Sequence, residues 1–384
     1  MSIYKSVNRP IATSIGMFDL LKGIAMVWIV FWHNIPNFSE LYITKISHYS
    51  DEGALVYVPY FYEASMIIRL CFTILVLLLV SLMPTLFILS GYSIRKRTIS
   101  KGCSSQYKEL LKPYLITVFV TVSLNIVFHY CFFRYLPGAV QESVKVFGGM
   151  ILGYSQNVQI GEFTFFANGP MWFVLSLFWA LVIFNVLLNK VDETKIKYYA
   201  FGLSILGWLL SYTVYTPFCI SQGLVGVLYV YLGYYVRKSK ILASVHSKET
   251  IIKYILWVII PNIILISLGL ITEMADNVYS LGPISYIESG LMGIGFIYVY
   301  MRMNQSFDGK VSNALRYFGR YSLYFLIIHT VEMIAIPWYV ITDKFTGHQL
   351  IGCFIVFVIR MIIITLALAG VIKILTAYRK LKSR

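Results

Sequence analysis

The sequence predicts an all-α integral membrane protein, a bundle of about ten transmembrane helices with both termini in the cytoplasm. Three observations carry that prediction. Of the 384 residues, 58% are hydrophobic and only 13% charged, whereas soluble domains run near a quarter charged. Ten apolar segments each approach the ~20 residues that a spanning helix needs. The basic residues fall in short clusters between alternate segments. The formal charge of +15 therefore reads as the positive-inside rule, not as nucleic-acid binding.

The segments run over residues 15–37, 67–94, 111–133, 169–189, 198–215, 217–236, 251–272, 281–303, 317–340 and 349–376. The first is apolar enough to span a bilayer yet carries Asp19, Lys22 and His33. The second contains Pro84, which predicts a kink or an unwound turn. Between the third and fourth, residues 137–168 are rich in glycine and aromatics and read as an extramembrane or re-entrant loop. Loop charges set the direction. Lys5 and Arg9, then the clusters that follow segments 2, 4, 6, 8 and 10, place 25 of the 32 basic residues on one side. The opposite loops carry acids, among them Glu142, Glu162, Glu273 and Asp276. Neither an internal repeat nor a linker to a second domain is evident, so residues 1–384 read as one polytopic domain without a cleavable signal peptide. The five cysteines are too scattered for a disulfide framework or a CxxC metal site.

An ionisable residue inside a spanning helix costs roughly 2.5–3.5 kcal/mol, which makes segment 1 the place to look for chemistry. Lys22 and His33 are eleven residues apart, three turns plus about 20°, so they share one helix face about 16 Å apart along the axis. With the N-terminus inside, Lys22 lies in the inner part of the membrane and His33 in the outer part. Two readings fit. In one, Lys22 snorkels to the cytoplasm beside Asp19 and His33 marks the outer interface. In the other, Lys22 fixes an anion arriving from inside and His33 serves as a base near the outer face.

The segment D-L-L-K-G-I-A-M-V-W-I-V-F-W-H resembles the opening of the membrane-bound acyltransferase family 3, in which a basic residue, ten others and a histidine lie on the first helix. The basic residue is commonly arginine in that family, and a lysine, as at Lys22, resembles the branch similar to fucose 4-O-acetylases. Further stretches resemble that family in order: M-P-T-L-F-I-L-S-G-Y-S-I (83–94), K-E-L-L-K-P-Y (108–114), N-G-P-M-W-F-V-L-S-L-F (168–178) and Y-S-L-Y-F-L-I-I-H (321–329). Each motif has a bland reading beside it. Gly91 reads first as a packing glycine, Trp172 as an interfacial anchor or a cleft residue, and His329 with Glu332 as a structural intramembrane pair or a catalytic one. The cluster at 95–112 is topological, with phosphate recognition as its second reading.

The resemblance implies a bacterial O-acetyltransferase of the cytoplasmic membrane. It implies acetyl-CoA as the donor and a glycan or lipid-linked sugar of the cell envelope as the acceptor, with no metal and no nucleic acid. His33, Lys22 and Asp19 would be catalytic. Arg95, Arg97, Lys108 and Lys112 would meet the donor, and Tyr92, Trp172, His329 and Glu332 would line the acceptor pocket. A multi-pass transporter or flippase of a lipid-linked sugar or small anion is the competing reading, because intramembrane charges and a proline-broken helix serve it equally well. The motifs of P-loop nucleotidases, zinc peptidases and serine hydrolases are missing.

Overall fold

The structure is a computed structural model that describes residues 16–35, 66–213, 216–243, 246–268, 270, 272–345 and 348–382. The basic pair Lys5 and Arg9 and the segment at about 38–66 lie almost entirely outside them.

Helices dominate. They are α1 (Asp19–Asn34), α2 (Met66–Ser93), α3 (Ile99–Phe133), α4 (Leu136–Leu152), α5 (Met171–Lys190), α6 (Ile196–Ser211) and α7 (Ile220–Lys238). There follow α8 (Lys248–Ile266), α9 (Ile284–Ser306), α10 (Lys310–Arg320), α11 (Ser322–Ala335), α12 (Trp338–Thr342) and α13 (Gln349–Lys382). Two small antiparallel hairpins interrupt them, β1 (Val158–Ile160) with β2 (Phe163–Phe165) and β3 (Thr272–Glu273) with β4 (Val278–Tyr279).

Six helical segments among the described residues are long and apolar enough to cross a bilayer, or seven if the bent pair Ser322–Ala335 and Trp338–Phe345 forms one span. The ten expected spans are therefore not all recovered. Helices α1 and α6, at 16 residues each, reach only about 24 Å against a hydrocarbon core of ~30 Å. The expected segment at 317–340 breaks into three pieces. Helix α10 ends at Arg320, α11 starts at Ser322, and a 71° bend around Ile336 and Pro337 leads into α12. Proline cannot extend the preceding helix, which is the physical reason for the bend.

Two other expectations change. Residues 137–168 are not simply a loop: Leu136–Leu152 is helical, with Pro137 in its first turn and Gly153 in the left-handed conformation at its end. Its buried positions Ala139, Ser143, Val146 and Met150 recur at helical spacing. Pro84 does not unwind α2, which runs unbroken across it. There the Ser81 hydroxyl donates to Leu77 O and the Thr85 hydroxyl to Ser81 O, the kind of side-chain bonding that tolerates proline in a membrane helix.

Helix α7 is the hub, packed against α2, α5 and α6. Its contact with α2 is backbone on backbone. A Cβ on Gly91 would stand 2.0 Å from Val230 O, and one on Gly233 would stand 1.9 Å from Ile88 O. Small residues at such crossings let apolar helices gain dispersion contact where no hydrophobic force drives them together. Gly91 is thus a packing glycine.

Helix α1 makes the same kind of contact with α10. A Cβ on Gly23 would meet Leu315 O at 1.8 Å, and one on Gly319 would meet Asp19 O at 1.8 Å. The Asp19 end of α1 gathers the basic clusters. Phe18 packs edge-on against Tyr92, with ring centroids 5.3 Å apart. Arg237 donates to the carbonyls of Tyr92 and Ile94 at the end of α2. Arg316 donates to Asn304 O and Phe307 O at the end of α9. The guanidinium groups satisfy carbonyls that have no partner within their own helices.

Candidate active site

His33 lies in the last turn of α1, and its Nδ1 is 2.9 Å from Ile29 O. A carbonyl can only accept, so Nδ1 carries the hydrogen and the lone pair of the neutral ring resides on Nε2. The same Nδ1 lies 3.3 Å from Nε2 of His329, which is 296 residues away in sequence and on α11. His329 Nδ1 in turn lies 2.8 Å from Glu332 Oε1. One assignment fits these contacts. His329 donates from Nδ1 to the carboxylate, its Nε2 accepts a share of the His33 Nδ1 hydrogen, and His33 keeps Nε2 as its basic nitrogen.

Glu332 has further partners. Arg360, in the middle of α13, donates from Nε at 3.1 Å and from Nη2 at 3.0 Å to Glu332 Oε1. Trp338, at the start of α12, donates its indole N–H to Glu332 Oε2 at 2.9 Å. Arg360 also stacks over the Trp338 ring, 5.3 Å from its centroid, and donates from Nη1 to His33 O at 3.3 Å. Next to His33, Asn34 donates to Cys353 O at 2.8 Å. The chain of contacts is deep. His329 and Arg360 are 0% exposed and Glu332 is 4% exposed, while His33 is only half-buried. A carboxylate and a guanidinium so placed need each other, because an unpaired charge there is costly.

Three separate helices, α1, α11 and α13, thus supply one linear arrangement, carboxylate to imidazole to imidazole, with a guanidinium neutralising its acidic end. Such an arrangement fixes a tautomer and stabilises an imidazolium that forms at His33. Among the described residues no group of three His, Cys, Asp or Glu side chains is placed to hold a metal ion.

The other candidates lie elsewhere. Lys22 and Asp19 are half-buried at the opposite end of α1, where the charges of Lys22, Arg320 and Arg316 act on Asp19. No Asp19–Lys22 ion pair forms among the described residues, so Asp19 does not hold Lys22 by direct contact. Tyr92 stands at this same end, against Phe18, about 22 Å along α1 from His33. Arg95, Arg97, Lys108 and Lys112 are exposed. The backbone of Arg97 is pinned by two asparagines of α5, with Arg97 N donating to Asn185 Oδ1 at 3.1 Å and Asn189 donating to Arg97 O at 2.8 Å. Lys108 lies in a π-helical turn, Tyr107–Leu111, a distortion that often accompanies function. Trp172 is buried in the main core. Three residues earlier, Gly169 touches α11, since a Cβ there would meet Met333 Cε at 2.6 Å.

Arg360, Trp338 and Asn34 were not among the residues singled out for a role from the sequence. A signal for Arg360 existed. It is a lone cation inside the apolar run 349–376, and such a charge requires a buried partner. Glu332, an acid inside a neighbouring apolar segment, was available to match it.

The fold and this centre define a polytopic membrane protein with a cluster of bonded ionisable side chains sunk among its helices. The Acyl_transf_3 family model, an acyltransferase domain, matches residues 15–373. The chain therefore belongs to acyltransferase family 3. Comparison with curated proteins and with solved structures gave no match.

Proposed function

We propose that the protein transfers an acetyl group from cytoplasmic acetyl-CoA to a hydroxyl of a cell-envelope glycan or lipid-linked sugar, with His33 as the base. The observation that carries this reading is the bonded series His33–His329–Glu332–Arg360, which ties the His33 ring to a buried carboxylate. His33 Nε2 removes the proton of the acceptor hydroxyl as its oxygen attacks the thioester carbonyl. The tetrahedral adduct collapses, the C–S bond breaks, and the thiolate leaves with the proton returned from His33. Attack by Nε2 itself, giving an acyl-imidazole that the hydroxyl then opens, uses the same atoms. Glu332 compensates the positive charge on the ring in either route, and His329 relays that effect.

Ten crossings with both termini inside, in a bacterial cytoplasmic membrane, would place Lys22 and the 95–112 cluster where CoA is made. Several observations support a common side for these charges: Phe18 against Tyr92, Arg237 on the α2 terminus, and Lys238 bound to Glu193 at 2.6 Å. Lys22 would then position the donor or stabilise negative charge developing on it. Arg95, Arg97, Lys108 and Lys112 would meet its phosphates.

The test is radiolabelled acetyl-CoA supplied to the cytoplasmic face of inverted vesicles, with wild type and His33→Ala compared. Acetyl transfer to glycan that survives His33→Ala sinks the role of His33. Passage of glycan or anion across the bilayer without transfer would favour a transporter instead.

A further inference from the structure

A cavity of about 640 Å³ lies outside the histidine series. It is enclosed by the end of α3, the start of α4, the approach to α5 and the elbow between α11 and α12. Its size falls in the range of small-ligand sites, and the question is what chemistry it suits.

The walls combine aromatic faces with uncharged polar groups. Phe133 and Tyr339 present nearly parallel rings, 15° apart in plane with centroids 6.2 Å apart. His129 stands 5.8 Å from the Phe133 ring. Amides come from Asn125, Gln141 and Asn157. The one carboxylate in the wall, Glu142, is paired with Lys145 at 2.8 Å. Among the described residues no lysine or arginine lines the cavity, and the nearby Lys145 is already paired with Glu142, so the wall offers no unpaired cation of the kind that recognises phosphate or CoA. The Asn125 amide is already bonded within the protein, but an acyl chain would strip water from the exposed amides of Gln141 and Asn157 and give them no hydrogen bond in return. Apolar ring faces beside amide donors and acceptors match a neutral pyranose, which has C–H faces and hydroxyl edges.

The cavity also touches the centre. Trp338 forms part of its wall, and the indole of the same residue donates to Glu332 Oε2. Met333, adjacent to Glu332 in α11, lines it too. We infer that this cavity binds a neutral saccharide segment of the acceptor and holds it one indole away from the Glu332–His329–His33 series. The inference rests on the glycan-acetylation reading for the word acceptor, but not for the saccharide chemistry.

The test uses the full-length protein without donor. Maltotriose, galactotriose and chitotriose, each carrying a diazirine, are photolysed with the protein, and the labelled peptides are mapped. At least one should label residues 125–142 or 333–339, with suppression by its unlabelled form. Phe133→Ala and Tyr339→Ala, both at half-exposed rings, should each weaken that labelling about tenfold, the scale of one lost ring contact. Three results overturn the proposal: labelling by none of the three, displacement of the label by a sugar phosphate, or preferential labelling by a diazirine fatty acid. In transfer assays, Tyr339→Ala should raise the acceptor KM more than it lowers kcat. Transfer lost in His33→Ala with the acceptor KM unmoved in Tyr339→Ala would reject the cavity while keeping the reaction. Saccharide labelling with no transfer by wild type would do the reverse.

Discussion

The two ends of α1 are held by different physics. At the His33 end, side chains from α11, α12 and α13 converge on one carboxylate through directed hydrogen bonds. At the Lys22 end, α1 is locked to α10 by backbone contact at Gly23 and Gly319, and its charges act on one another at longer range. The difference teaches which end sets chemistry and which sets position. A tautomer and a base demand fixed donors and acceptors, whereas gathering positive charge for an anion needs only that the helices meet at the right depth.

Substitutions can break or sharpen that contrast. The largest effect is expected for His33→Ala, which should lower acyl transfer about 10²–10⁴-fold with little loss of stability, measured as labelled acetyl incorporated against thermal unfolding in detergent. Arg360→Met should instead act on folding. It leaves Glu332 without its buried counter-charge and should cost about 3–5 kcal/mol, and adding Glu332→Gln should recover part of that loss in denaturation. If the double variant is no more stable than the single one, the pair is not what holds this end together.

Gly319→Leu tests the other end. A side chain there strikes the backbone of Asp19, and overpacking of this kind costs about 1–3 kcal/mol. The loss should show as faster proteolysis between α9 and α10. Lys22→Ala should lower transfer about tenfold, the equivalent of ~1.4 kcal/mol, while Lys22→Arg should keep it, because charge and not shape is required. Equal activity in all three forms would return Lys22 to a snorkelling role.

The smallest effect separates the site from its surroundings. In the β3–β4 turn, burial and the charge of Asp276 push the Glu273 carboxyl above its ordinary 4.5, to about 8. The raised value means that the folded hairpin favours the protonated acid. Its contribution is complete below pH 4.5 and is lost as pH rises through about 8, following proton linkage. Amide protection of residues 272–279, taken relative to the intrinsic exchange rate at each pH, should therefore fall over that interval in wild type and stay level in Glu273→Gln. The pH profile of acyl transfer should be the same in both proteins.

Much of the fold was legible because the membrane restricts the choices. Apolar run lengths located most helices, and the glycine of S-G-Y-S was readable as a close crossing. The misreadings have specific causes. Residues 137–152 looked like loop because glycine and aromatics outweighed a real helical spacing at Ala139, Ser143, Val146 and Met150. The run 317–340 looked continuous because hydropathy does not register a bend, although Pro337 marked it. Within the candidate site, His33, His329 and Glu332 were visible as ionisable residues in apolar surroundings. Tyr92 shared their expected grouping only through motif order, and the structure puts it at the far end of α1.

By itself, the sequence determined that this is a membrane protein, that Lys22 and His33 share one face, and that Glu332 and Arg360 had to find partners inside the bilayer. Helical periodicity and the cost of burying charge are local laws, and they act on each segment alone. Only the tertiary structure decided that the partners are each other, that His329 stands between Glu332 and His33, and that a cavity opens behind Trp338. Those facts depend on which helices touch and at what depth. Close crossings at small residues and the elbow at Ile336 and Pro337 set that arrangement, and no single segment encodes it.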